Sequence, residues 1–566
     1  MGGSIHDELI EPMRLTAKTK IPMMRATNFA LTILTVSLTV PTFPAFAQVA
    51  PDAGRTLQEL APPATSLPKV SPRIDIPAPT AAPSAPGGAT VQVQSVRFTG
   101  NTRFSSQELQ NAIGDVRGQS YDLAGLRGLA EQVSKYYRQQ GYPFARAFIP
   151  PQADAGGLLH IQIIEGQYGK VSAKGDEALQ ADAERFLGSL QPDAVIESSS
   201  LERATLVLSD QPGIKIAPVI RPGQEVGTAD LEVDVTRDKR YEGDVGLDNH
   251  GNYYSGQARA RAGLTVNSPF MLGDQINARL LYTQEKLWLG SVAYSAPIGV
   301  SGLRANLGYA QTDYTLGNGF EGNEGIARVS SAGFTYPFVR SQATNVSASA
   351  AWQYKKLYNS YGYGTFTEKY FSTTVPLGLS FDHRDSLAGG GVTYGTVSWT
   401  HGSLHKDDSV RSGSFSKANM DLVRLQALPG NWTLFLRFSG QLANKNLDSS
   451  EAMFLGGPAG VRAYPVGEAS GDEGWLAQVE IRYRMGDFSP YAFYDHGRVK
   501  VNARPSQVVL PSPDLTRAGA GVGLRFQRGP WNIDGAVAWR TNGGEPTSDT
   551  HSDPRPRIWL TAGYRF

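Results

Sequence analysis

The fold is decided by an alternating segment near the carboxy terminus: Ala477-Gln478-Val479-Glu480-Ile481-Arg482-Tyr483-Arg484. Apolar or aromatic side chains occupy one parity and polar or charged side chains the other, which is the period-two pattern of a β-strand with one dry and one wet face. An Arg or Lys that faces lipid at the bilayer midplane costs about 2–4 kcal/mol. The segment therefore predicts a strand whose apolar face meets lipid and whose polar face lines a wet lumen.

The same alternation recurs throughout the 327 residues that follow position 239 (566 minus 239). Apolar faces run from Ala258 to Val266, Ile276 to Tyr282, Leu434 to Leu442, Ala518 to Phe526 and Ile558 to Phe566. We expect strands of about nine or ten residues, longer than the five or six typical of soluble β-sandwiches. Residues 239–566 are therefore predicted to form an outer-membrane β-barrel. At its apolar carboxy terminus, Tyr564 and Phe566 are expected to form the terminal signal for the barrel assembly machinery.

The amino-terminal residues have the order of a secretory signal. Lys18, Lys20 and Arg25 precede an apolar core of 12 residues, Phe29 to Val40, and Ala45-Phe46-Ala47 follows it. The core is shorter than the roughly 20 residues that a spanning helix needs. We predict a signal peptide over residues 1–47 that is cleaved before Gln48, with an uncleaved anchor as the alternative.

A proline-rich stretch and two small modules lie between the signal and the barrel. Residues 48–90 are predicted to be a semi-rigid linker, in which only Asp52 to Ala61 could form a short helix. Residues 91–166 and 167–238 each show the order β-α-α-β-β, which indicates a tandem repeat. Strands are predicted at 91–98, 145–149, 158–164, 170–174, 214–221 and 231–235, and helices near 126–137, 183–190 and 201–208.

Composition and motifs exclude several function classes. The chain has no cysteine, so disulfides and thiolate sites are excluded. Its 53 basic and 52 acidic residues give a net charge of +1, which offers no global attraction for nucleic acid. Gly317 to Gly322 matches a dinucleotide pattern but lies among turn residues, and His401 and His405 lie in a strand-like run. We expect no catalytic site, no metal, no cofactor and no nucleic-acid partner.

Three sequence motifs near the carboxy-terminal end of the barrel resemble those of a known family. They are Phe454-Leu455-Gly456-Gly457, Val461-Arg462-Ala463-Tyr464-Pro465 and Glu468-Ala469-Ser470-Gly471-Asp472-Glu473-Gly474, with support from Phe493-Tyr494-Asp495-His496-Gly497. Together with the two modules, they resemble the two-partner secretion transporters, the TpsB or ShlB/FhaC/HecB family, whose small domains are POTRA domains. Ala463 stands where the superfamily often has glycine. The resemblance implies a transmembrane barrel of about sixteen antiparallel strands preceded by two α+β POTRA-type domains.

The resemblance also implies a site. Val461, Arg462, Ala463, Tyr464, Gly471 and Asp472 would belong to a sixth extracellular loop that folds back into the lumen and brings Arg462 to Asp495 on the barrel wall. Parity alone does not orient Asp495, because Tyr491 and Phe493 share its face, but the cost of a lipid-facing carboxylate favours the inward orientation. The pair either staples the barrel or gates it.

The implied function is a pore in the bacterial outer membrane, with its POTRA-type domains in the periplasm. The partner would be a TpsA-type exoprotein, haemolysin- or adhesin-like, which is recognised through its amino-terminal secretion domain and exported without nucleotide hydrolysis. The helix within Asp52 to Ala61 would plug the resting pore. The alternative is a factor that inserts other barrels into the outer membrane, which would share the modules and the loop signature.

Overall fold

The computed structural model describes residues 51–59, 68, 87–152, 156–408, 410–504, 513–549 and 554–566. The predicted signal peptide, residues 1–47, and most of the predicted linker lie outside the described residues. One short helix, α1 Ala53–Glu59, precedes the modules. Among the residues that the structure describes, no helix is both long enough and apolar enough to cross a lipid bilayer.

Module 1 packs two helices against a small mixed sheet in the order β2-β5-β4. Its elements are β1 Val91–Val93, β2 Ser95–Thr99, α2 Ser106–Ile113, β3 Gln119–Tyr121, α3 Leu123–Gln139, β4 Arg146–Phe148 and β5 Leu158–Ile164. Helix α2 begins at a capping box formed by Ser105 and Glu108, and α3 begins where the Asp122 carboxylate accepts from the backbone N–H of Gly125. Gly141, with φ of 91°, follows the end of α3, as the sequence predicted.

A buried carboxylate joins the two ends of module 1. Glu165 is 6% exposed and accepts hydrogen bonds from the Thr102 N–H at 2.6 Å, the Arg103 N–H at 2.8 Å and the Tyr137 hydroxyl at 2.7 Å. Burial by itself raises the pKa of this carboxyl, but the hydrogen bonds from Thr102, Arg103 and Tyr137 outweigh it and hold the pKa below its ordinary value. Burial, followed by the interaction with Glu165, raises the pKa of Tyr137.

Module 2 repeats the arrangement and contacts the barrel. Its elements are β6 Gln167–Gly175, α4 Glu177–Leu187, α5 Ser198–Ser209, β7 Ile214–Pro222 and β8 Thr228–Arg237, with the sheet order β6-β8-β7. The end of α5 lies against periplasmic turns of the barrel, where Asp210 accepts from Arg340 Nε at 2.7 Å and Nη2 at 2.8 Å. Arg203 donates to the carbonyl of Phe338 at 3.1 Å. Module 2 is thus docked by charge-assisted hydrogen bonds.

In the described part of the chain, sixteen antiparallel strands close into one barrel, and the last strand pairs with the first. The wall strands are β9 Tyr241–Asp248, β10 Arg259–Asn267, β11 Gln275–Thr283, β12 Trp288–Pro297, β13 Arg304–Thr315, β14 Glu324–Arg340, β15 Thr344–Tyr361, β16 Phe366–Asp385, β17 Gly391–His405, β18 Gly413–Ala427, β19 Trp432–Ala443, β22 Glu473–Tyr483, β23 Phe488–Lys500, β24 Asp514–Arg528, β25 Trp531–Asn542 and β26 Arg557–Arg565, while β20 Met453–Phe454 and β21 Ser470–Gly471 lie between β19 and β22. Closure removes the open edges that a membrane sheet cannot leave unpaired.

The predicted alternation is confirmed on the wall. Leu280, Leu442, Val522 and Leu560 are each more than half exposed on the outer face, where lipid would lie. The opposite parity faces inward, and Glu480 on β22 is only 4% exposed. The barrel is therefore apolar outside and polar inside, as a transmembrane barrel requires.

Two predictions about elements were wrong, and one strand was missed. The run from 91 to 98 is two strands, because the backbone turns at Gln94, where the N–H groups of Gln94 and Ser95 both point at the carbonyl of Gly157. Strand β3, which pairs with β1, was not predicted. Strands β14, β15 and β16 have 17, 18 and 20 residues, not nine or ten, so these strands are longer than a bilayer crossing requires.

The glycine-rich segment and the histidine pair lie in a connection and in a strand, as the sequence indicated. Gly317 to Gly322 forms the connection between β13 and β14. His401 and His405 lie on β17 and are both exposed. Neither motif has the surrounding structure that a nucleotide or a helical metal pair needs.

Candidate functional site in the barrel lumen

Loop 6, residues 444–472, connects β19 to β22 and folds back into the lumen. Its apolar side chains Leu455, Val461 and Tyr464 are fully buried and pack in one cluster with wall residues of β22, β23, β25 and β26. The tight path depends on glycine: a Cβ at Gly456 would lie 2.0 Å from the carbonyl oxygen of Pro465. Loop 6 therefore packs against the inner face of the barrel wall and fills part of the lumen.

Arg462 anchors the tip of loop 6 to the wall. Its Nε and Nη2 donate to the Asp495 carboxylate at 2.8 Å and 2.6 Å, and its Nη1 donates to Glu480 at 2.6 Å. The guanidinium also lies 3.5 Å from the ring centroid of Phe493. We call Arg462, Glu480 and Asp495 the clasp. All three are buried, so the bidentate geometry has to offset the hydration that they lose.

The orientation of Asp495 is resolved by this geometry. Asp495 is fully buried and faces the lumen, as the sequence favoured. Tyr491 and Phe493 share its face and are each 5% exposed. They face inward because loop 6 fills this part of the lumen. Their neighbour Tyr494 is 45% exposed on the outer face.

The sequence did not single out Glu480 as a partner of loop 6. Besides Arg462, its carboxylate accepts from Arg482 Nε at 2.7 Å and from Arg525 at 3.2 Å. Alternation placed Glu480 inside, but no local signal shows which of the lumenal arginines it meets. Three arginines from loop 6, β22 and β24 thus converge on one carboxylate.

Ala463 and Tyr464 fit the wall beside the clasp. The Ala463 methyl group lies opposite Gly519, where an added Cβ would come within 2.4 Å of it. The side chain that replaces the usual glycine is therefore matched by a glycine on β24. The Tyr464 hydroxyl lies 2.9 Å and 3.0 Å from the carbonyl oxygens of Asn542 and Gly544, at the end of β25.

Gly471 and Asp472 lie apart from the clasp, at the base of loop 6. Asp472 is 5% exposed, and its carboxylate accepts from the backbone N–H groups of Leu447 and Ala503, both at 2.9 Å. A Cβ on Gly471 would lie 2.7 Å from the carbonyl oxygen of Lys500. These two residues therefore join loop 6 to the end of β23 and the connection after it.

A second buried ion pair was not predicted. Glu468 of loop 6 is fully buried and accepts from Arg517 Nε at 2.9 Å and Nη2 at 2.5 Å. It also accepts from the N–H groups of Thr547 and Ser548, at 2.9 Å and 2.8 Å. The sequence placed Arg517 on the polar face of its strand but gave no sign of this partner. Loop 6 is thus fastened at two buried carboxylate–arginine contacts.

Helix α1 lies inside the barrel against loop 6, and we call it the plug helix after the role that the sequence resemblance implies. The Asp52 carboxylate accepts from Ser449 Oγ at 2.7 Å, and the Ala53 N–H donates to Asn359 Oδ1 on β15 at 2.8 Å. Arg55 donates to the carbonyl of Gly467. Gly54 lies so close to the loop that a Cβ there would meet Ser449 Oγ at 2.4 Å. Loop 6 supplies most of these partners.

The rest of the lumen is polar and partly open. One cavity of about 720 Å³ is lined by Arg259, Arg261 and Asp421, and another of about 820 Å³ by Lys239, Glu242 and Arg279. Pro68 lies at the periplasmic side, where its carbonyl accepts from Arg384 near the end of β16 at 3.3 Å. The fold and this lumen define a class: a transmembrane β-barrel whose lumen is partly filled by a loop and a helix, with α+β modules in front of it.

Comparison with known proteins identifies the family. The family model described as haemolysin secretion/activation protein ShlB/FhaC/HecB matches residues 227–526, and the model described as POTRA domain, ShlB-type, matches residues 91–166. The chain belongs to the ShlB/FhaC/HecB family. It is a two-partner secretion transporter of the outer membrane, and its POTRA-type modules lie in the periplasm.

Individual relatives agree with this membership. The chain is 28% identical over 487 residues to the heme/hemopexin transporter protein HuxB of Haemophilus influenzae, covering 81% of this chain and 84% of the relative. It is 25% identical over 517 residues to the hemolysin transporter protein ShlB of Serratia marcescens, covering 86% and 88%. The solved structure of CdiB from Escherichia coli has the same fold, with a TM-score of 0.72 at 19% identity over 90% of this chain and 95% of that one.

Proposed function

We propose that this transporter exports one large haemolysin- or adhesin-like exoprotein, which binds the periplasmic modules first and then crosses the barrel after the plug helix leaves. One observation carries the proposal. The polar lumen is occupied by a short helix that side-chain and backbone hydrogen bonds hold in place. Such an element can be displaced without opening the wall.

The contact between the plug helix and the barrel is weak enough for a client to displace the helix. About four hydrogen bonds join the helix to loop 6 and β15, and each contributes roughly 0.5–1.5 kcal/mol net. The sum is about 2–6 kcal/mol before the entropy of ordering the helix is subtracted. A helix of seven residues is unstable alone in water, so it unfolds once it leaves. A client of moderate affinity supplies enough free energy to keep it out.

The modules offer one long free edge for recognition. Strand β7 has nine residues and lies at the edge of its sheet, whereas β4 has three and the start of β6 is covered by residues 193–195. Ala217 and Val219 are exposed along β7. An extended client segment can add to such an edge through its backbone. Pro218 lacks an N–H, so the edge is one donor short at its centre.

The gating hypothesis assigns the clasp a role in this cycle. Loop 6 holds the plug helix through Ser449 and Gly467, and the clasp holds loop 6 to the wall. A client that enters the lumen must move both. The sequence contains no phosphate-loop or nucleophile motif, so we infer that folding of the client outside the cell gives export its direction.

We also propose that Tyr564 and Phe566 form the signal that the barrel assembly machinery reads. Phe566 is 55% exposed on the outer face at the free carboxy end, and its backbone pairs with Gly243 of the first barrel strand at 2.9 Å and 3.0 Å. The family match favours export of a client over the insertion of other barrels.

Two measurements test the proposal. Deleting residues 52–59 should raise the conductance of the full-length transporter in planar bilayers, and unchanged conductance would remove the plug role. Because the chain has no cysteine, Ala217→Cys and Val219→Cys place single thiols on β7. With cysteines scanned along the amino-terminal region of the client, disulfides should form at these positions and not at Arg97→Cys on β2. Cross-linking confined to Arg97→Cys would contradict recognition at β7.

A further inference from the structure

The outer face of β14, β15 and β16 carries a cluster of three exposed cations, Arg328, Lys356 and Lys369. Arg328 and Lys356 are direct partners in the register between β14 and β15. Lys369 is the partner of Tyr358, which lies two residues beyond Lys356 on β15. Diagonal neighbours of this kind lie about 7–8 Å apart, within reach of long side chains. We call these three residues the outer cation cluster.

The cluster lies at the height of lipid headgroups. Below it, towards the periplasm, the same face carries Trp352 and Tyr354, and Phe371 lies at the level of Lys356, its register partner. The ring centroids of Trp352 and Tyr354 are 6.1 Å apart, and those of Tyr354 and Phe371 are 5.8 Å apart. Ten residues separate Arg328 from the exposed Phe338 near the periplasmic end of β14, which is about 33 Å along a strand. A tilt of about 40° reduces this to roughly 25 Å, the height of the apolar band of a barrel. The cluster therefore borders the outer leaflet.

None of the three cations forms an ion pair within 4.0 Å among the described residues, and the nearest interacting carboxylate is that of Asp313, which acts on Arg328 from a longer distance. Arg328 donates to Gln311 at 3.2 Å, and the two lysines lie 5.5 Å and 5.4 Å from the rings of Tyr354 and Tyr358. Two other outward arginines have carboxylate partners: Arg498 pairs with Asp514, and Arg424 forms a bidentate pair with Asp385. Like charges opposite each other on neighbouring strands are unfavourable, and the outer cation cluster has no ion pair of this kind to offset the repulsion.

The surface between these strands is concave. A groove of about 480 Å³ is lined by the three cations together with Ile326, Tyr354 and Phe371. The acids on this face, Asp313 and Glu324, lie nearer the extracellular rim, as register position places Asp313 beside Ile326 and Glu324 at the start of β14. The groove thus combines cations with aromatic rings: Tyr358 and Phe371 lie at the level of the lysines, and Tyr354 lies on the periplasmic side.

We propose that this groove binds the phosphorylated glucosamine headgroup of lipid A in the outer leaflet. Arginine and lysine are the donors that phosphate groups accept most strongly. Three cations on three strands match a headgroup that carries two phosphates, whereas an ordinary phospholipid presents one. The aromatic side chains beside and below the cations supply flat apolar surface for the sugar rings and the first acyl carbons. The phosphates of the lipid would supply the contact partners that the three cations lack within the described residues.

Native mass spectrometry of the detergent-purified full-length transporter tests the proposal. The probes are diphosphoryl lipid A, monophosphoryl lipid A and phosphatidylglycerol. We expect saturable binding of one diphosphoryl lipid A. Each cation near a lipid surface contributes about fivefold in affinity, so Arg328→Gln, Lys356→Gln and Lys369→Gln together should weaken binding about a hundredfold. Monophosphoryl lipid A should bind more weakly than the diphosphoryl form.

A matched control separates the site from general charge. Arg498→Gln with Lys500→Gln removes two outward cations at the extracellular end of β23 and should leave lipid A binding unchanged, whereas Lys356→Gln with Lys369→Gln should weaken it about 25-fold. Heat-modifiable migration of every variant shows that the barrel is folded. Equal weakening by both pairs, equal binding of phosphatidylglycerol, or undiminished binding by the triple variant would each overturn the proposal.

Discussion

Arg462→Ala should release loop 6 from the barrel wall without unfolding the barrel. Removing one partner of a buried ion pair typically costs about 3–5 kcal/mol, mainly because the other charge is left unpaired. Here Glu480 keeps Arg482 and Arg525, so only Asp495 loses its cation. Asp495 still accepts from the backbone N–H of residue 462 at 3.0 Å and from Gln478 at 3.3 Å. The lower end of the range, about 3 kcal/mol, therefore applies.

That free energy predicts a measurable change in the position of the loop. A cost of about 3 kcal/mol shifts the equilibrium between docked and released loop 6 about a hundredfold. Val466 is 9% exposed in the docked loop, and the chain has no native cysteine. In a Val466→Cys background, the rate of labelling by a membrane-impermeant maleimide should rise by about that factor on adding Arg462→Ala, and export of the client should fall severely.

Controls separate gating from stapling. Arg279→Ala removes a lumenal arginine that pairs with Asp244 and does not contact loop 6, so labelling and export should both stay at the level of the parent. If Arg462→Ala instead abolishes heat-modifiable migration, the clasp staples the barrel. Unchanged labelling and unchanged export in a folded Arg462→Ala variant would refute the reasoning altogether.

Three further predictions follow from other contacts. Gly54→Ala raises helix propensity by about 1 kcal/mol, but it brings a Cβ to 2.4 Å from Ser449 Oγ and should therefore displace the plug helix from loop 6. The bilayer conductance of the transporter should increase. A conductance equal to that of the parent would contradict the observed position of the plug helix. Glu165→Gln should weaken module 1 by about 1.5–3 kcal/mol at neutral pH, measured by hydrogen exchange in the full-length chain. Because the pKa of Glu165 is lowered on folding, the stability that its carboxylate contributes is present above the unfolded pKa of about 4.3 and is lost as the pH falls through the folded pKa. A stability difference between the parent and Glu165→Gln that persists in strong acid would contradict this pH dependence. Asp210→Ala removes the partner of Arg340 and should broaden the spin-label distances between module 2 and the barrel, whereas Asp182→Ala, whose ion pair lies wholly within module 2, should not; equal broadening in both would argue against docking through Asp210.

The barrel was predictable because lipid imposes one rule on every strand. Alternation over β22 and β24 orients each side chain without any knowledge of its partners. Alternation does not predict side-chain polarity where protein fills the lumen. Tyr491 and Phe493 face inward although they are aromatic, because their rings pack beneath loop 6. Strand length was underestimated because β14 to β16 continue beyond the bilayer crossing, where lipid no longer sets the length.

The partners inside the lumen were only partly predictable. The Arg462–Asp495 contact came from a family resemblance, and the structure shows it. Glu468 with Arg517, and Glu480 with three arginines, depend on how loop 6 folds back, which no local pattern encodes. The plug helix is separated from its Ser449 partner by 397 positions in the sequence. Long-range polar contacts of this kind follow from the tertiary fold.

In the proposed cycle, the covalent attachment of the plug helix determines how the pore closes again. It is tied to module 1 by about 30 residues, rich in proline, so its local concentration at the lumen is in the millimolar range whatever the abundance of the transporter. Resealing is therefore unimolecular and should keep the same rate constant when the protein is diluted. A soluble peptide that copies residues 51–59 must reach millimolar concentrations before it competes with the attached helix. An inhibitor of export that mimics the helix would therefore need to be attached to the transporter.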